Sequence, residues 1–237
     1  EAIPLPKIKI ENVLINFDKS KNNLRVKSLK IYPKFFSIYD YENFDSFKII
    51  LKDNQISLEA PELKSFTKNF LEQKKKLFLD NLELSVFDEN KLIVKLKNIK
   101  FANFGYNKNL ISGRIFEKKF KIEIKNDQKN IDFKLLNSGV SASINLYTKS
   151  KENLIRGVFK SKILNTNLKF IFDLNDEKLK IYDSYLRNKN LTFNGESLII
   201  LKPFLDFNSK FSIQKINLQI LKKINLDMLL TQKDIIR

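Results

Sequence analysis

Cysteine and histidine are both absent from the 237-residue chain. Their absence removes a disulfide framework, a thiolate nucleophile, the usual zinc sites and any Ser-His-Asp triad. Glycine and proline are scarce, at five residues each, fewer than a compact sandwich with many tight turns carries. Long strands are expected instead. Apolar runs last only a few residues, so neither a signal peptide nor a membrane-spanning helix is legible. No glycine-rich phosphate loop is present. Catalytic, metal and cofactor sites are not expected, and function has to reside in surfaces.

The chain is 43% hydrophobic, with 21 phenylalanines, so its composition is that of a folded protein. Forty-four basic residues against 27 acidic ones give a net charge of +17. Such a charge suits a polyanion or an anionic membrane. It also follows from an A/T-rich coding bias toward Lys, Asn, Ile and Phe, and the basic residues spread along the whole chain.

Residues 8–31 read IKIENVLINFDKSKNNLRVKSLKI. Ile8 and Ile10 alternate, Glu11-Asn12 interrupts, and Val13, Ile15 and Phe17 resume on the other parity. Beyond the polar loop, Leu24 and Val26 alternate, Lys27-Ser28 interrupts, and Leu29 and Ile31 resume. Residues 77–101, LFLDNLELSVFDENKLIVKLKNIKF, repeat the arrangement. There Leu77 and Leu79 precede a break at Asp80-Asn81, and Leu82, Leu84 and Val86 follow it. Leu92, Val94 and Leu96 precede the break at Lys97-Asn98, and Ile99 and Phe101 follow. Period-two alternation around a polar loop predicts antiparallel hairpins, here repeated at an offset of 77 − 8 = 69 residues.

Pairing Val86 with Leu92 in the second hairpin, and Ile15 with Val26 in the first, brings the breaks to about the same rung. The expectation is that the apolar face passes to the other side of the sheet there. Paired β-bulges, each adding a residue to its strand, are the alternative that keeps one face apolar. Between the hairpins, Leu63, Phe66, Phe70 and Leu71 mark an amphipathic helix near 61–76 that begins at Pro61 and covers the sheet. Residues 110–218 read as further strands, in which Gly113 and Gly157 recur in similar phrases. A C-terminal helix is expected near 219–236. The fold class is mainly β: a long, curved antiparallel sheet forming an open apolar groove, continuous over 1–237. With no initiator methionine and a helix-like end, the chain reads as an excerpt of a longer one.

The phrases KIKIENVLINFD, LRVKSLKIYPKF, LFLDNLELSVFDENKLIVKLKNIKFANFG and ISGRIFEKKFKI resemble bacterial AsmA-like proteins, which are similar to chorein-type, bridge-like lipid transfer proteins. The likeness is one of rhythm and covers most of the chain. It implies a periplasmic segment whose parent is tethered to the inner membrane by a helix outside it and reaches toward the outer membrane. It implies phospholipid binding and transport along an apolar groove, in support of outer-membrane lipid homeostasis. The candidate lining is Ile8, Ile10, Val13, Ile15, Phe17, Leu24, Val26, Leu82, Leu84, Val86, Leu92, Val94, Leu96, Ile99 and Phe101. From the residues alone, the same rows serve equally as a packed core.

Two other readings stand beside it. A nucleic-acid-binding β protein would use the positive charge and the aromatic run YPKFFSIYDYENF, although acidic residues within that run oppose a polyanion, and nucleic acid is not expected as a partner. A structural or adhesive domain would have a filled interior. Catalysis is not expected, because Asp173, Asp176 and Glu177 fall where a turn is predicted, and carboxylates are ordinary there.

Overall fold

The computed structural model of the protein describes residues 6–16, 23–39, 42, 44–125, 129–147, 154–202 and 204–217. The chain begins with β1 (Ile8–Asn16), β2 (Asn23–Pro33) and β3 (Ser46–Glu59). A 3-10 turn (Ala60–Glu62) leads into helix α1 (Leu63–Leu71), then β4 (Lys76–Asp88) and β5 (Lys91–Ala102). Shorter strands follow: β6 (Leu110–Ile115), β7 (Lys118–Lys125), β8 (Asn130–Leu135) and β9 (Val140–Leu146). The last five are β10 (Ile155–Ile163), β11 (Thr166–Leu174), β12 (Lys178–Arg187), β13 (Leu191–Ile200) and β14 (Asp206–Ile216). Hydrogen bonding arranges them in chain order, β1 through β14. The chain is mainly β, as its alternation predicts.

One pairing departs from the antiparallel expectation. β3 and β4 run parallel, Lys48–Glu59 beside Lys76–Phe87. Parallel neighbours need a crossover long enough to carry the chain back to the starting end, and the segment containing α1 supplies it. The helix is shorter than the expected 61–76. Pro61 lies in the 3-10 turn, where the Glu62 carboxylate accepts the backbone N–H of Glu59 at 2.9 Å. At the other end, the Asn103 side chain donates to the carbonyls of Gln73 and Lys75, each at 2.8 Å, and accepts the N–H of Leu77 at 2.7 Å. Those bonds fix Gln73 and Lys75 outside the helix, which ends at Leu71. The expected helix near 219–236 lies outside the described residues.

By packing, the chain divides into two compact units, one comprising 1–128 and 133–138, the other 129–132 and 139–237. In the first unit, the breaks of β1, β3, β4 and β5 contain left-handed residues, whereas that of β2, at Lys27-Ser28, does not. Asn12, Asp53, Asn81 and Asn98 have φ of 56°, 53°, 57° and 52°. Asn and Asp are the non-glycine residues that best tolerate this region, because their short polar side chains bond locally. Asn12 falls between the rungs Glu11–Ser28 and Val13–Val26. Asp53 and Asn81 fall between Lys52–Asp80 and Asn54–Leu82. The breaks thus form a transverse row, and the register between β3 and β4 is the same on either side of it.

The expected exchange of apolar face does not occur. Leu77 and Leu79 before the break and Leu82, Leu84 and Val86 after it are all buried in a single cluster. Leu51 before Asp53, and Ile56 and Leu58 after it, belong to the same cluster. A matched extra residue in adjacent strands resets the side-chain phase and leaves the apolar face where it was, which is the paired-bulge solution. The 69-residue echo is conformational as well, since Asn12 and Asn81 occupy equivalent places in it. The pairing is also two residues from the sequence expectation. Ile15 faces Leu24 and Val13 faces Val26; Val86 faces Val94 and Leu84 faces Leu96. In the second hairpin one residue of the shift comes from a tight turn in which both Glu89 and Asn90 have positive φ, as two-residue hairpin turns demand, and the other from a bulge between Val86 and Phe87.

Candidate functional site

Once the bulges align the apolar rows, the first unit presents them to helix α1. Phe66 is buried in the cluster, and Leu63, Phe70 and Leu71 pack against it. The Phe66 and Phe70 rings lie 4.6 Å apart, tilted at 54°. Beside the helix the packing is incomplete. A cavity of about 270 Å³ is lined by Ile15, Leu24, Leu29, Ile31, Ile49, Leu51, Phe70, Gln73 and Leu77. Eight of the nine lining residues are apolar, and Gln73 supplies the one polar side chain.

The candidate lining residues divide into three groups. Leu24, Val26, Leu82, Leu84, Val86, Ile99 and Phe101 are buried in the cluster. Val13, Ile15, Val94 and Leu96 are half-buried against it. Ile8, Ile10 and Leu92 are exposed. Phe17 lies outside the described residues. Only Ile15 and Leu24 of this set reach the cavity. Leu29, Ile31 and Leu77 belong to the alternation but not to that set, and β3 contributes Ile49 and Leu51. Their signal in the sequence is the same period-two pattern, and what it lacks is the knowledge that β3 lies between β2 and β4.

The opposite face of the first unit is polar at the row of breaks. Asn81 Nδ2 donates to Asp53 Oδ1 at 2.7 Å, so two left-handed residues lock across β3 and β4. Asp80 lies 3.0 Å from Lys100 Nζ and 3.9 Å from Lys52 Nζ. On the apolar face, in the row of Val26 and Leu82, Asn54 is fully buried and donates to the Asp80 carbonyl at 3.0 Å. These contacts define the bend itself, and they keep charge off the apolar face.

The second unit repeats the design in outline. Asp183, φ 48°, interrupts β12 where its register with β11 and β13 shifts. Cross-strand rows place Leu168, Leu186, Phe193 and Ile213 side by side, and likewise Leu174, Leu179, Ile199 and Phe207. Gly157 faces Phe172 and Gly195 faces Phe211, as Gly113 faces Phe120 in the first unit. A β-carbon on Gly157 would lie 2.8 Å from both the Asn145 carbonyl and the Phe172 ring. The missing side chain lets the phenylalanine fold across the neighbouring strand, shielding backbone and adding apolar surface.

On the polar face of the second unit, Arg156 grips Asp173 through two hydrogen bonds of 2.8 Å, and Tyr182 Oη donates to the same carboxylate at 3.0 Å. The guanidinium, with the tyrosine adding, holds Asp173 below the usual carboxylate range. Asp176 and Glu177 occupy the β11–β12 turn, where Asn175 Oδ1 accepts the N–H groups of Glu177 and Lys178. Among the described residues no group of three or more metal-ligating side chains converges, and no helix is long and apolar enough to cross a membrane. No family model, curated protein or solved structure matches the chain.

Proposed function

We propose that the chain binds the acyl chains of phospholipid along the apolar face of its sheet and takes part in phospholipid transport in the cell envelope. The observation that carries this reading is the cavity beside α1, walled by eight apolar side chains and one glutamine. Its volume of about 270 Å³ falls just below the ~300–1,000 Å³ usual for small-molecule sites, which suits a length of hydrocarbon chain. Each methylene transferred from water to such a wall gains about 0.8 kcal/mol. Binding of this kind needs no reacting group. The resemblance to AsmA-like proteins supports the same reading. It adds a periplasmic location, a parent chain reaching both membranes and a part in outer-membrane lipid homeostasis.

Mass spectrometry of organic extracts from gently purified protein tests the proposal, and phospholipid is the expected content. Ile49→Glu places a charge on the cavity wall, and Ile49→Phe fills the cavity without charge. Both should lose the lipid while keeping the far-ultraviolet circular dichroism of the parent. Lipid-free preparations of the parent protein, or lipid retained by folded Ile49→Phe, would overturn the reading.

A further inference from the structure

The second unit gathers unbalanced positive charge at one end of its strands. Because β10 to β14 are antiparallel, the β10–β11 turn, the β12–β13 turn and the last residues of β14 share one end. The register aligns Lys162, Asn167, Arg187, Thr192 and Lys215 in one transverse row there. The segments that meet at this end, 139–142, 160–168, 185–193 and 213–217, contain Lys160, Lys162, Arg187, Lys189 and Lys215 but no Asp or Glu. All five cations are exposed. At the other end of the same strands Asp173, Asp176, Glu177 and Asp206 stand among Arg156, Lys178, Lys180 and Lys202, and the charge there balances. Like charges gathered on one edge repel one another, which folding alone does not favour.

The same end is also apolar at its tip. Ile163 and Leu164 in the β10–β11 turn are 51% and 65% exposed. Leu164 has φ 55°, a conformation that suits glycine or asparagine and costs a leucine energy. Solvation and backbone preference both oppose a leucine at this position. A partner that presents anionic groups over an apolar layer satisfies both features, and a bare phosphodiester backbone satisfies only the first. We propose that this end of the second unit docks on an anionic membrane surface. Ile163 and Leu164 enter the headgroup boundary while the five cations face lipid phosphates. The site is separate from the acyl-chain cavity, which lies wholly in the first unit, so either proposal survives failure of the other.

Co-sedimentation of the full chain with phosphatidylcholine vesicles, with and without phosphatidylglycerol, tests it. Binding is expected only with phosphatidylglycerol present. The triple variant Lys162→Gln/Arg187→Gln/Lys215→Gln should bind about a hundredfold more weakly, at about fivefold per cation. Lys178→Gln/Lys180→Gln, at the charge-balanced end, should bind as the parent does. Leu164→Asn suits the left-handed backbone and should fold normally while losing about tenfold in affinity. Equal binding to both vesicle types overturns the proposal, as does undiminished binding by the triple variant or by Leu164→Asn. Tight binding to a single-stranded oligonucleotide with none to vesicles also overturns it and assigns the patch to nucleic acid.

Discussion

At the scale of the residue, the bends in these strands depend on side chains that tolerate positive φ. Asn98 tests this with little interference, being exposed and left-handed. Asn98→Gly should leave stability nearly unchanged in urea denaturation, whereas Asn98→Val should destabilise by about 1–2 kcal/mol. Gly157→Ala should also destabilise, by about 1–3 kcal/mol, because the added methyl meets a carbonyl oxygen that belongs to the sheet ladder. Asp173 carries a pH dependence. Its folded-state pKa is depressed by Arg156, so its contribution is complete above the unfolded value of about 3.9 and is lost as pH falls below it toward the lower folded value. Asp173→Asn should therefore flatten the fall in stability below about pH 4. A variant as acid-sensitive as the parent would show that the ion pair has no part in it.

At the scale of the element, α1 is held by its apolar stripe and by its exit. Phe66→Ala removes the one fully buried aromatic ring of the helix and should cost about 3–5 kcal/mol in denaturant unfolding. The positions of the helix and of the two N-terminal hairpins were legible in the sequence, through the stripe at Leu63, Phe66 and Phe70 and through the alternation around two polar loops. The helix end was not, because a side chain thirty residues away, Asn103, draws Gln73 and Lys75 out of it. The strand register was not legible either. It depends on whether the turn takes an even or an odd number of residues and on a bulge between Val86 and Phe87, and DENK specifies neither.

At the scale of the whole chain, a net charge of +17 produces repulsion that outweighs exposed ion pairs, each of which contributes little. Monovalent salt screens that repulsion, so the melting temperature should rise between low and physiological ionic strength. A fall would show that local ion pairs dominate. The composition displayed this charge but not its distribution. Only the register of β10 to β14 reveals that the basic residues of 160–168, 185–193 and 213–217 share one end.

The sequence by itself determined where strands and breaks occur, because period-two alternation and its interruptions are local facts. It also supplied the means of bending, an Asn or Asp at the break in β1, β3, β4, β5 and β12. Whether a break exchanges the apolar face or preserves it was decided only in the tertiary structure. One strand shows the same pattern in either case, and the outcome depends on an extra residue in its neighbour. The direction of β4 beside β3, and with it the wall of the cavity, was likewise set by packing, since side-chain alternation reads the same in both directions along a strand.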